Sequence, residues 1–200
     1  QKRYMFPIEL KISRKKTVMF SEDEGIAPTT VEGLKGLRSV LPGGVHTFGA
    51  QTHPADGNCG LIVTDQATAK ELSSDKNVEI QILSYAFYRE KKGYMAAAVV
   101  PAAEKALQKA GITVKDVKSL KTHNPFAVND LYMAKKMGID PNGFNNYGSS
   151  LVFGHPQGPT AGRCMIEMIE ELALKGGGYG LFAGCAAGDT AAALVVKVTC

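Results

Sequence analysis

The sequence predicts an α/β layered domain built on a mixed sheet, and three observations predict it. From Val78 onward, short runs rich in β-branched and aromatic residues alternate with stretches whose apolar residues recur at helical spacing. The helical stretches stop at glycines (Gly111, Gly138 and Gly176 to Gly178), where a left-handed cap is tolerated. The last two strand-like runs are separated only by a small-residue turn and should pair as a hairpin, and the strand-helix order before them points to a layered domain with a mixed sheet.

Taken in order, Tyr4 to Leu10 is amphipathic, and strands are expected over Phe6 to Ile12 and Thr17 to Phe20. An acidic turn at Glu22-Asp23-Glu24 precedes a helix over Val31 to Val40, with Thr29 or Thr30 as its N-cap. Asp56-Gly57 marks a turn, and Cys59 to Thr64 reads as a short buried strand. A long strand over Val78 to Tyr88, a helix over Ala96 to Ala110 and a strand over Lys118 to Thr122 follow. Next come a helix over Phe126 to Met137, a brief extended piece over Gly143 to Asn146, and the largest helix, Thr160 to Lys175. Strands Tyr179 to Gly184 and Ala191 to Val198 flank the turn Cys185 to Asp189.

Composition narrows the function classes. Hydrophobic residues make up 44% of 200, enough for a sizeable core, and a net charge of +4 from scattered Lys and Arg gives no nucleic-acid footprint. The densest basic stretch, Lys11 to Lys16, reads as a solvated edge or a meeting point for a phosphate-bearing ligand. No apolar run approaches the roughly 18 residues that cross a bilayer, and no secretory leader is visible, so a cytoplasmic protein without a membrane partner is expected. Cys59, Cys164, Cys185 and Cys200 lack C-x-x-C spacing, and the histidines lack ligand spacing, so no metal or redox cofactor is expected. The chain begins at Gln1, without a Met, and reads as a fragment or processed chain.

In α/β sheets, ligands collect at loops beyond strand ends, and three loops hold chemistry there. Thr122 to Ala127 (T-H-N-P-F-A) offers His123 and Asn124 as donors, although capping of the next helix by Asn124 explains it equally well. Gly154 to Arg163 (G-H-P-Q-G-P-T-A-G-R) leads into the long helix, with glycines that allow close backbone approach and His155 at its mouth. Gly184 to Asp189 (G-C-A-A-G-D) sets Cys185 beside backbone amides suited to an oxyanion, although a buried small thiol is the ordinary alternative.

The order of these three loops resembles the thiolase superfamily, whose members carry an N-E-A-F-A or H-D-C-F motif, a G-H-P loop opening a helix and a C-x-G hairpin. Upstream, Thr47 to Thr52 with Asp56-Gly57 is similar to the family's T-A-G-N-A-S segment and its following D-G. The resemblance implies a thiolase-like layered αβαβα fold. It divides the chain into residues 1–51 as the end of a CoA-binding loop domain, 52–76 as the last strand region of the N-terminal domain, and 77–200 as the C-terminal domain.

It also implies an acyl-CoA C-acyltransferase that makes or cleaves a 3-oxoacyl-CoA through an acyl-cysteine. His155 would take the proton of the nucleophilic cysteine, and Cys185 would be the second acid/base. His123 would complete the first oxyanion hole, the Ala187 amide would serve the second, and Thr52 would contact the pantetheine arm of CoA. The nucleophile is expected in an N-terminal half, so this polypeptide alone should be catalytically incompetent. Coenzyme A thioester enters as substrate, with no bound cofactor. A homo-oligomer and a small OB-fold partner are implied by resemblance alone.

Three segments depart from the family pattern: Asn124-Pro125 replaces Glu-Ala, Tyr147 to Ser150 replaces N-G-G, and Ala186 to Asp189 replaces I-G-G-G. The first places the loop nearer the sterol-carrier-protein type. Alternative readings are a ketoacyl- or hydroxymethylglutaryl-type condensing synthase, against which Cys185 argues, and a non-catalytic acyl-CoA-binding subunit.

Overall fold

The computed structural model describes residues 5–200, so Tyr4 of the amphipathic run lies outside the described residues. A first hairpin joins β1 (Ile8–Ser13) to β2 (Lys16–Phe20), both largely exposed. Helix α1 is only Val31–Lys35, capped by Thr30, whose side chain accepts from the Gly33 amide. It ends well short of Val40 because none of its residues is buried, so no packing sustains further turns. The helix α2 (Gln66–Leu72), not foreseen from the sequence, is equally uncovered and depends on Asp65, which accepts from the Thr68 amide. The Cys59 to Thr64 run is not a strand. It finds no strand partner, and Leu61, Ile62 and Val63 stand 46%, 79% and 73% exposed.

The central sheet holds β3 (Glu79–Arg89), β4 (Val117–Thr122), β5 (Gly178–Ala186) and β6 (Thr190–Thr199) in the order β3-β6-β5-β4. Pairs β3-β6 and β6-β5 are antiparallel and β5-β4 is parallel, so the sheet is mixed, as the strand-helix alternation predicts. One face is covered by α3 (Val99–Ala110) and α4 (Ala127–Met137), through Ala102, Ala103, Ala106 and Met133 against Leu181, Ala183 and Val195. Small residues on α3 let the helix approach the strands closely. Both helices end on glycines at positive φ, Gly111 at 70° and Gly138 at 66°, as their sequences require.

The other face carries α6 (Thr160–Leu174), packed through Cys164, Met168 and Leu172 onto Phe182, Val196 and Val198. Residues 95–98 form a 3₁₀ turn, so the helix expected from Ala96 starts at Val99. In place of the extended piece at Gly143 there is a 3₁₀ turn over Pro141–Gly143, and only Phe144 bridges to Leu120. A short helix, α5 (Ser150–Phe153), precedes the Gly154 loop.

A buried ion pair ties α6 to the sheet. Lys121 on β4 and Glu171 on α6 lie 3.0 Å apart with side chains 0% and 1% exposed. Glu171 also accepts from Ser119 (2.7 Å), Asn146 (2.8 Å) and Lys175 (2.5 Å). Burial pushes its carboxyl up, but the Lys175, Asn146, Ser119 and Lys121 contacts outweigh that and hold it at about 2.

Candidate active site

Each of the three predicted loops emerges at the same end of the sheet. His123 follows the last residue of β4 and is buried. Its loop is braced by Asp130 of α4, which accepts from the Thr122 hydroxyl (2.5 Å), Asn124 Nδ2 (2.7 Å) and Asn145 Nδ2 (3.2 Å). Burial raises the Asp130 carboxyl, and these three bonds oppose the rise. Asn124 therefore does not cap α4. The N-cap is Phe126, without a side-chain bond, and Asn124 is spent on Asp130.

His155 lies between α5 and α6. Gly154 before it has φ of 81°, and a Cβ there would sit 2.6 Å from that of Ala55, so the loop needs glycine for both conformation and space. The His155 amide donates to His53 O (2.9 Å), and its ring Nδ1 lies 2.9 Å from the buried Thr160 hydroxyl. With Nδ1 engaged, Nε2 is the nitrogen left for a ligand.

Cys185 is not in a turn, as expected, but in β5, opposite Ala191 of β6. The ladder runs on through Ala186 and Thr190 because Gly188 (φ 83°) and Asp189 (φ 59°) suffice to reverse the chain. Ala187 is thus spared the positive φ that a glycine would have served, and it stands exposed at the tip.

These placements bring His123, His155, Cys185 and Ala187 onto one cavity of about 890 Å³. The two imidazole centroids are 5.3 Å apart, and Cys185 Sγ lies 3.7 Å from His123 Nε2. Apolar walls come from Phe87, Met95, Phe126 and Phe182. Burial, reinforced by His155, lowers His123 to about 4, and burial with the Arg163 charge lowers His155 as well. Burial raises the Cys185 thiol, partly offset by a bond from Asn129 Nδ2 at 3.2 Å. The cluster therefore presents two neutral imidazoles and a protonated thiol near neutral pH, a set that can accept and donate protons without a permanent charge.

Thr52 does not line this cavity. It is half-buried, and its amide donates to Pro125 O (2.9 Å), next to a bridge between Gln51 and Phe126. Together with the bond from His155 to His53, this short segment, residues 51–55, stitches the His123 and His155 loops to one another. Thr160, His53 and Asn129 escaped the sequence reading. Asn129 carries a faint signal, since it sits in the first turn of the helix that the His123 loop opens.

Residues 76–198 match the family described as Thiolase, C-terminal domain. The chain belongs to the thiolase family. A probable acetyl-CoA acetyltransferase of Mycolicibacterium smegmatis is 32% identical over 193 residues, covering 96% of this chain and 49% of that protein. The crystal structure of the Bacillus anthracis acetyl-CoA acetyltransferase superposes with a TM-score of 0.85 at 30% identity, over 96% of this chain and 49% of the other. Human mitochondrial 3-ketoacyl-CoA thiolase in complex with CoA gives 0.79 at 25% identity, over 96% and 48%. The thiolase chain described here thus spans about half the length of these relatives, and its mixed α/β fold is theirs. Among the described residues no group of His, Cys, Asp and Glu is arranged to hold a metal, and no helix is long and apolar enough to cross a membrane.

Proposed function

We propose that this chain supplies the acid/base half of a thiolase-type acyl-CoA C-acyltransferase acting on a 3-oxoacyl-CoA. The observation that carries the reading is the convergence of His123, His155 and Cys185 on one apolar-walled cavity. The nucleophilic cysteine would come from an N-terminal half. That half would contain the domain to which residues 52–76 belong and would supply the strand partner that Leu61 to Val63 lack, with residues 1–51 closing the CoA-binding loop domain and 77–200 forming the C-terminal domain.

In thiolysis, His155 Nε2 takes the proton of that nucleophilic thiol, and the thiolate attacks the 3-oxo carbon. As the bond between C2 and C3 breaks, Cys185 gives its proton to C2, releasing acetyl-CoA and leaving an acyl-cysteine. The thiol of an incoming CoA passes its proton to the Cys185 thiolate and attacks the acyl carbon. The departing cysteine then recovers its proton from His155, which restores the starting state. His123 and the imidazolium of His155 would polarise the thioester oxygen, and the exposed Ala187 amide would serve the second oxyanion. Neutral imidazoles suit this scheme, because His155 must begin as a base.

The bond from Thr52 to the Pro125 carbonyl supports a bracing role, and contact of its hydroxyl with the pantetheine arm of CoA remains part of the reading. A cytoplasmic setting, a homo-oligomer and a small OB-fold partner belong to the proposal as well. The test is turnover of the complete enzyme carrying His155→Ala or Cys185→Ala. Losses of at least about 100-fold in each are expected for lost acid/base groups, and near-wild-type thiolysis in both would remove the mechanism. This chain alone should be catalytically incompetent, and thiolysis by it without an N-terminal half would contradict the reading.

A further inference from the structure

Asn129 contributes a carboxamide from the first turn of α4 to the back of the cluster, and it is buried at 3% exposure. Its Nδ2 lies 3.2 Å from Cys185 Sγ, while its buried Oδ1 finds no hydrogen-bond partner. A half-satisfied buried amide costs about 1–3 kcal/mol, more than a contact to a neutral thiol returns. Stability therefore does not explain it, and an unsatisfied buried group in a native protein calls for a reason, of which a role in catalysis is one. The sulfur's other polar neighbour, His123 Nε2, is farther away at 3.7 Å and is itself a neutral ring. A carboxamide differs from an imidazole in that it donates at every pH.

We propose that Asn129 is a positioning residue whose Nδ2 donates to the sulfur of Cys185, stabilising the thiolate each time Cys185 gives up its proton. The inference rests on the acyl-transfer reading for its purpose, but not for its chemistry. Other titratable or charged side chains lining the cavity are Tyr88, Arg89, His123 and His155. Asp130, next on α4, is engaged by Thr122, Asn124 and Asn145.

The experiment uses the whole chain and iodoacetamide, with alkylation of Cys185 followed against pH by peptide mass spectrometry. Asn129→Leu, which removes the donor at similar volume, should raise the midpoint by about one unit, seen as roughly tenfold slower alkylation below it. Asn129→Asp, which adds a like charge, should raise it further. In the unsubstituted protein, the side-chain amide protons of Asn129 should shift in NMR spectra with the same midpoint as Cys185 alkylation, a reading that needs no variant to fold. An unchanged midpoint in a folded variant, or amide resonances indifferent to that titration, would overturn the proposal. Either failure leaves acyl transfer standing, because that is decided by turnover of the His155 and Cys185 variants.

Discussion

Replacing Glu171 by Gln should reveal how the site's two histidine loops are held at a fixed separation. Glu171 on α6 bonds Lys121 and Ser119 on β4, so it anchors the strand that leads into His123 to the helix that follows the His155 loop. Its carboxyl sits at about 2 in the folded chain against an ordinary glutamate value of 4.5. A shift of that size corresponds to about 3 kcal/mol of stability near neutral pH. Because the folded pKa is depressed, this contribution is fully present above about 4.5 and is lost as pH falls towards about 2. Denaturant unfolding should therefore show Glu171→Gln less stable than the parent by about 3–5 kcal/mol at pH 7, the upper figure including the cost of a buried, unpaired Lys121. The linked part of the gap should fall to about 1.4 kcal/mol at pH 3. A difference below about 1 kcal/mol at pH 7, or one that does not change between pH 7 and 3, would refute the reasoning.

Thr160→Val removes the partner of His155 Nδ1 at almost constant volume, and a lost hydrogen bond of about 1 kcal/mol should lower kcat of the complete enzyme roughly fivefold with little change in KM. Gly154→Ala must strain a φ of 81° and push against Ala55 and His53, so it should both destabilise the chain in thermal unfolding and remove most activity. NMR titration of His123 should give a midpoint near 4, not 6.5, with stability contributed above about 6.5 and lost as pH falls through about 4. Alkylation at pH 8 should label exposed Cys59 and Cys200 readily, whereas Cys164, buried and pushed up to about 11, should react only on unfolding.

Where local chemistry decides structure, the sequence was a good guide. Gly111 and Gly138 end their helices as predicted because only a residue without Cβ enters the left-handed region cheaply. The β5-β6 hairpin was visible in its turn residues, but its length was not. Cys185 stays in the ladder because a three-residue reversal is enough, a matter of pairing that no single strand reveals. The Cys59 to Thr64 run failed for a related reason, since apolar residues become a strand only where another edge accepts them. Helices α1 and α2 bury no residue, and their short extents follow from capping without packing.

The amino-acid sequence by itself determined the α/β alternation, the sites of chain reversal and the three loops that carry His123, His155 and Cys185, because each depends on neighbours a few positions away. Only the tertiary structure decided that β4 and β5 lie side by side and that the two imidazoles stand 5.3 Å apart. It also decided that Asn129 reaches the sulfur and that Lys121 and Glu171 are buried together. Those relations span tens of residues. They are fixed by burial of α3, α4 and α6 against the sheet, a force without direction along the chain and therefore without a signature in any local stretch of it.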